Sequence, residues 1–362
     1  MKRISEQLRI PMGRRTFLAA AGMGVTGAVA ALAGCSDSTA GAGSTSTGSS
    51  SSAAGSAEEE PVESVEVRVA SLSGPTSIGL VSFMELAKDA ECYDNTYTFN
   101  IYKAADEILP QVIKGDIDIA LIPANAASVL YNKTEQGIAC IDINTLGVLS
   151  VVTGDASVTS FEDLAGRTVY LTGKGTTPEY TMNYLLNAAG IADSVTLEFK
   201  SEATEVVSTL AADASAVGVL PQPFVTAALA KNDALNAPVD LTDVWARYAD
   251  EGSQMVTGVT VVRREFAEAH EQAVVEFLTA QAASVATVND DPAAAAPLVV
   301  EAGIIESEAV AEAAIPNCHL VCLTGEEMKD ALSGYLEVLH AASPEAVGGT
   351  MPEDNFYFSI DV

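Results

Sequence analysis

Residues 115–131 read G-D-I-D-I-A-L-I-P-A-N-A-A-S-V-L-Y. Ile117, Ile119, Leu121 and Ile122 form a short apolar run behind a Gly-Asp turn, the pattern of a strand buried on both faces in a parallel sheet. Pro123 ends the run, because proline has no amide proton for a ladder and restricts the residue before it. Asn125 is then placed to cap a helix over 126–131. A strand that runs straight into a helix N-terminus leaves unpaired N–H groups at the carboxyl edge of its sheet, where open α/β sheets hold ligands. A single loop of this kind is equally an ordinary strand–helix connection, so the rest of the chain has to decide.

The rest of the chain repeats the arrangement. Residues 65–71 alternate as a strand, Gly74-Pro75-Thr76-Ser77 follows, and an apolar helical stretch comes next. Residues 97–102 are a second strand, Asp106 is placed to cap a helix to Lys114, and 146–153 read as one buried strand. The series then restarts. Ser160 opens the turn S-F-E-D-L, T-V-Y-L-T follows, and Gly173-Lys174-Gly175-Thr176-Thr177-Pro178 leads into a helix ended by Gly190. Strands at 195–199 and 217–220 come next, the latter running into Pro221-Gln222-Pro223-Phe224 and another helix. A strand at 256–263 precedes long Ala-rich helices, and Thr324 to Glu327 reads as a capping box for a helix to His340.

Two strand–helix series predict an α/β fold of two lobes, each with a mostly parallel open sheet, flanking a ligand cleft. The expected crossings lie near 153–158 and 252–256. They give 65–155 as the first part of lobe 1, 156–254 as lobe 2, and 255–362 as the return to lobe 1.

The N-terminus belongs to neither lobe. Arg14-Arg15-Thr16-Phe17-Leu18 and the small apolar residues after it, to Gly34, read as a twin-arginine signal peptide. Leu32-Ala33-Gly34-Cys35 closes it in the manner of a bacterial lipobox, which predicts a lipidated Cys35 as the mature N-terminus. The run is too short and too rich in Gly and Ala for a membrane span. The 25 residues 36–60 are Ser, Thr, Gly and Ala followed by glutamates, with too little apolar surface to fold. As a flexible tether over 35–64 they span roughly 25–30 Å.

The chain carries a formal charge of −31. Removing residues 1–34 takes five bases and one acid with it, leaving 13 bases against 48 acids. Such a surface excludes a nucleic-acid partner and serves solubility. Cys318 and Cys322, in C-H-L-V-C, would lie about 13 Å apart in a strand, too far for a disulfide, and their spacing with His319 does not make a metal set. Cys92 and Cys140 pair only if the fold joins them. Among three histidines there is no G-x-S-x-G, H-E-x-x-H or P-loop pattern, so no catalytic residue, cofactor or metal is expected.

The body over about 65–358 resembles an ABC-transporter solute-binding protein of the nitrate/sulfonate/taurine and thiamine-precursor type. G-D-I-D-I-A-L-I-P, S-F-E-D-L-A-G-R-T-V-Y, the loop 173–177, L-P-Q-P-F and the ending P-E-A-V-G-G-T-M-P-E-D-N-F-Y-F carry the resemblance. It implies a hinged two-lobed, type II periplasmic-binding-protein-like fold. It also implies an extracytoplasmic monomer, lipid-anchored, that captures a small organic molecule or anion and delivers it to a membrane permease. The chain departs from many relatives in having Gln222 where they carry glutamate. Menaquinone-pathway lyases and a pyrimidine-synthesis enzyme share the two-lobed fold, and the exported address argues against both.

Ligand contacts are expected in four loops. Gly74, Pro75, Thr76 and Ser77 offer N–H groups and hydroxyls after the first strand, or form a plain turn. Pro123, Ala124 and Asn125 stand alike. Thr176 and Thr177 either hold an anion or carbonyl at a helix N-terminus or merely cap it. Gln222, fixed between prolines, offers an amide donor and acceptor, or packs the loop. Lys174 is the one base in these loops, and Tyr180 and Trp245 are either ring-stacking or core aromatics.

Overall fold

The computed structural model describes residues 64–249 and 253–358. The expected signal peptide, Cys35 and the expected tether to residue 63 lie outside the described residues. Among the described residues there are eleven strands, most of them separated by helices: β1 (Glu66–Leu72), β2 (Thr96–Tyr102), β3 (Ile119–Pro123), β4 (Ile138–Leu146), β5 (Leu149–Thr153), β6 (Thr168–Leu171), β7 (Thr196–Phe199), β8 (Val217–Pro221), β9 (Asn236–Asp240), β10 (Val256–Arg263) and β11 (Leu320–Leu323). They form two sheets, ordered β11-β4-β10-β3-β1-β2 and β7-β6-β8-β5-β9.

All five residues of β3 are buried, as its apolar run requires of a strand covered by helices on both faces. β1 runs parallel to β2 and β3, and β6 runs parallel to β7 and β8. β10 is antiparallel to β3 and β4, and β5 is antiparallel to β8 and β9. In each sheet, then, most strands share one direction and the strand that enters from the other lobe runs against it, joined in the first sheet by β11, which is antiparallel to β4.

The expected strand over 146–153 is two strands in two different sheets. The first crossing therefore falls at Gly147–Val148 rather than near 153–158, and β5 belongs to the sheet of lobe 2. Packing explains the break: a Cβ on Gly147 would stand 2.4 Å from Thr242 Oγ1 and 2.6 Å from Met255 Cε.

Other local expectations also shift. Asn125 is not a cap, because the helix begins at Ala124 behind Pro123 and Asn125 is already inside it. The helix Ala105–Lys114 starts one residue before Asp106 and carries Pro110 in its interior, with Glu107 accepting from the Ala104 N–H. Thr324 makes no side-chain cap. Cys318 follows a 3-10 turn and only Cys322 lies in a strand. Neither is in a disulfide, and Cys92 and Cys140 are not bonded to each other.

Helix Gly325–Ala342 joins the lobes. Met328, Ala331, Leu332, Tyr335, Leu336 and Leu339 recur at helical spacing, and all are buried. They belong to one apolar cluster that runs from Ala120 and Ile122 of lobe 1 to Leu149, Val151 and Trp245 of lobe 2. The Trp245 ring lies 5.1 Å from that of Tyr335 and 5.0 Å from that of Tyr184, so this tryptophan is core. Burying one such aromatic stabilises by about 1.5–3 kcal/mol. The final segment clamps lobe 1: Ser128 donates to Val347 O at 2.8 Å, and the Phe356 ring packs on Tyr131.

Candidate ligand cleft

A cleft of about 1140 Å³ opens between the two sheets. Lobe 1 supplies the ends of β1, β2 and β3, lobe 2 supplies the ends of β6, β7 and β8, and the loop 303–307 of the helical return closes one side.

Five of the ten expected contacts line it: Pro75, Thr76, Pro123, Thr176 and Thr177. Gly74, Ser77, Ala124, Asn125 and Gln222 do not. Ser77 is fully buried, donates its hydroxyl proton to Leu72 O and lies 2.8 Å from the Ser71 hydroxyl, which ties the short helix Pro75–Ile78 to β1. Thr76 donates to Leu72 O at 3.0 Å while still facing the cleft. Gln222 Oε1 accepts from the Thr226 hydroxyl at 2.9 Å and its N–H at 3.3 Å, so the carbonyl serves the helix Phe224–Lys231. Tyr180 lies outside the cleft, near Ser343 and Glu345.

Asn125 and Thr177 meet each other across the lobes. The Thr177 hydroxyl donates to Asn125 Oδ1 at 3.3 Å. Asn125 Nδ2 donates to Ala346 O at 3.0 Å and reaches Gly175 O at 3.5 Å. Both side chains are fully buried, so they form a latch at the cleft's inner end. Thr176 donates to Gly173 O at 2.8 Å, and the Gly175 N–H is taken by Glu179 Oε2, which uses one donor of the loop internally.

The charge of the cleft is the feature least visible beforehand. Lys174 is joined by Lys103, Lys200 and Lys231, four of the chain's nine lysines, against three of its 49 acids: Asp106, Glu202 and Glu306. The Lys200 ammonium sits 2.7 Å from Glu198 and 4.8 Å from the Tyr170 ring centre, and its bond to Glu198 raises its pKa. Lys103 bridges to Glu202 at 3.1 Å, from one lobe to the other. Lys103 and Lys200 lie just past β2 and β7, positions that the carboxyl-edge rule alone would have flagged. Lys231 ends a helix, and Thr257 and the loop 303–307 come from distant chain, so no local signal announces them.

This arrangement of lobes, crossing strands and cleft is that of a periplasmic-binding-protein fold. The NMT1/THI5-like family model matches residues 109–295, more than half of the chain, and the chain belongs to that family. Among solved structures, it is similar to an ABC transporter protein from Parabacteroides distasonis, at 25% identity and a TM-score of 0.68, covering 83% of this chain and 100% of that one. It is also similar to the alkanesulfonate-binding protein SsuA from Xanthomonas axonopodis bound to MOPS, at 13% identity and a TM-score of 0.63, covering 82% and 97%. A conserved Candida albicans gene product described as showing the generic periplasmic binding protein fold matches at 13% identity and a TM-score of 0.55, covering 79% and 94%. No curated protein matches.

Proposed function

We propose that this protein is the solute-binding component of an ABC importer, working outside the cytoplasm and anchored by a lipid on Cys35. It captures a small organic anion between its lobes and hands it to a membrane permease. The observation that carries this reading is a large interlobe cleft that gathers four lysines in a strongly acidic chain. A field of that sign, set between low-dielectric walls, concentrates anions. The N-terminus of helix Thr177–Ala188 lies on the same wall and favours negative charge.

Of the two ligand types that the resemblance implies, a sulfonate or taurine-like anion fits this lining better than a pyrimidine. Among the described residues Phe224 is the one aromatic on the wall, so there is little to stack a flat ring.

Native mass spectrometry of the gently purified protein would identify what co-purifies. Thermal-shift assays with hexanesulfonate, taurine, sulfate and an uncharged pyrimidine would rank the classes. A probe held at 100 times its Kd stabilises by about 2.7 kcal/mol. Preference for the uncharged pyrimidine would refute the anion reading, and chemical conversion of a bound probe would refute the transport reading.

A further inference from the structure

A polar cluster lies inside lobe 1 on the strands that carry the chain between lobes. Asp142 is on β4, Thr260 faces it on β10, and Gln281 projects from helix Glu271–Asp290. All three are fully buried. The Thr260 hydroxyl donates to Asp142 Oδ1 at 3.0 Å, and Gln281 Nε2 donates to the same oxygen at 3.2 Å. Asp142 Oδ2 and Gln281 Oε1 have no hydrogen-bond partner among the described residues. No cation pairs with the carboxyl among the described residues: the groups acting on it are Thr260 and Gln281. An ionised carboxylate buried in that way is costly by several kcal/mol.

The two orphan atoms are both acceptors when the acid is ionised. A carboxylic acid and a primary amide have complementary edges: the amide N–H meets one carboxyl oxygen, and the acid O–H meets the amide oxygen. The first of these bonds is present, and the atoms left over are the two that the second would join.

We propose that Asp142 keeps a proton on Oδ2 and donates it to Gln281 Oε1, so that the paired acid and amide form a proton-binding site at the root of the crossing strands. One proton satisfies both orphans. A hard cation would want about six oxygens, and the cluster leaves two free.

The titratable side chains that sense Asp142 are the thiols of Cys140, on its own strand, and Cys322, on β11. Burial pushes both up, so both are neutral. Thr260 from β10 and Gln281 from the helix carry no charge. Burial likewise pushes the Asp142 carboxyl up to about 7, against the hydrogen bonds from Thr260 and Gln281. A folded-state value above the unfolded one makes the stabilisation complete below the ordinary carboxylate range, and it is lost as the pH rises through about 7.

The site also abuts the cleft wall. Asn144 Nδ2 donates to Thr260 Oγ1 at 3.1 Å. Asn144 Oδ1 and the cleft residue Thr76 close on Gly258, at 2.6 and 2.5 Å from where a Cβ would stand.

The test compares the full chain with Asp142→Asn, whose amide N–H stands in for the acid O–H. Relative to this variant, the wild-type unfolding constant in urea should rise about fifty-fold between pH 5 and pH 7. Parallel profiles would overturn the proposal. So would a variant destabilised at every pH alongside a wild type stabilised by added Na⁺ or Ca²⁺, which would mean a bound cation. If Asp142→Asn does not fold, carboxyl ¹³C shifts of the ¹³C-aspartate-labelled wild type decide. One resonance titrating near pH 7 supports the proton site, and titration of every aspartate below pH 5 refutes it.

Discussion

The contact between Asn125 and Thr177 adds to the apolar joint that holds the empty lobes together, and Thr177→Val tests it. Valine keeps the shape of the buried threonine and removes one donor, leaving Asn125 Oδ1 without the 3.3 Å bond across the lobes. A neutral hydrogen bond of this length is worth about 1 kcal/mol net, so closure should weaken about fivefold. Asn125→Ala should cost more, about 2–4 kcal/mol, because it also strips the 3.0 Å bond from Ala346 O and leaves a cavity inside lobe 1. Most of the excess should appear as lost folding stability, since Ala346 belongs to the lobe 1 clamp, and only the longer 3.5 Å reach to Gly175 O should add to lost closure. Small-angle scattering of the ligand-free protein reads closure, urea unfolding reads stability, and titration with hexanesulfonate reads affinity. An unchanged radius of gyration in Thr177→Val would refute the latch. A hundredfold loss of affinity with unchanged closure would show that Thr177 contacts the ligand itself.

Lys174→Gln and Lys231→Gln should each weaken binding of an anionic probe by about 0.5–1 kcal/mol and flatten its salt dependence, with no effect on an uncharged solute, as isothermal titration at two ionic strengths would show. Asp118 joins Arg68 at 2.6 Å and Arg263 at 2.9 Å across β1, β3 and β10. Asp118→Asn should cost about 2–3 kcal/mol in urea unfolding, less than a wholly buried pair, because Arg68 can turn to water. Burial raises the Asp118 carboxyl, but the bonds from Arg68 and Arg263 outweigh it and hold it below its ordinary value. Its stabilisation is therefore complete above pH 3.8 and lost as the pH falls below that. Cys35→Ala should release the protein from the membrane fraction, and an unchanged distribution would exclude the anchor.

What the sequence could show was what local pattern controls. The apolar run 117–122, the Gly-Asp turn and Pro123 identify a buried strand and its end, and the repetition of that unit identifies the two-sheet architecture. The sequence could not show where one apolar run becomes two strands. Residues 146–153 are mostly apolar on both sides of Gly147, and the break there is imposed by Thr242 and Met255, about a hundred residues on. Nor could it separate a hydroxyl that faces the cleft from one turned inward. Thr76 and Ser77 are neighbours with similar chemistry, yet only Thr76 lines the wall. Lys231 escaped for a related reason: a base at the end of a helix says nothing about its surroundings until the opposite lobe is in place.

The way the lobes are joined constrains how they can move. Along helix Gly325–Ala342 the apolar cluster is continuous from one sheet to the other, through Tyr335 and Trp245. Parting the lobes there would expose large aromatic surfaces, at about 25 cal/mol for each Å². At the opposite side the contacts are slighter. Ile305 packs, half-buried, against the apolar clusters of both lobes, helix Glu308–Ala314 touches helix Phe224–Lys231, and Lys103 reaches Glu202 through solvent-exposed groups. An exposed ion pair of that kind is worth about 0–1 kcal/mol. Opening should therefore pivot on the continuous core and release the strap at 303–307 first, since that path breaks the least buried surface. The cleft's lysines lie on the walls that would swing apart. A bound anion that touches both walls would add to the weak side of the joint, where about 1 kcal/mol is enough to shift the balance towards closure.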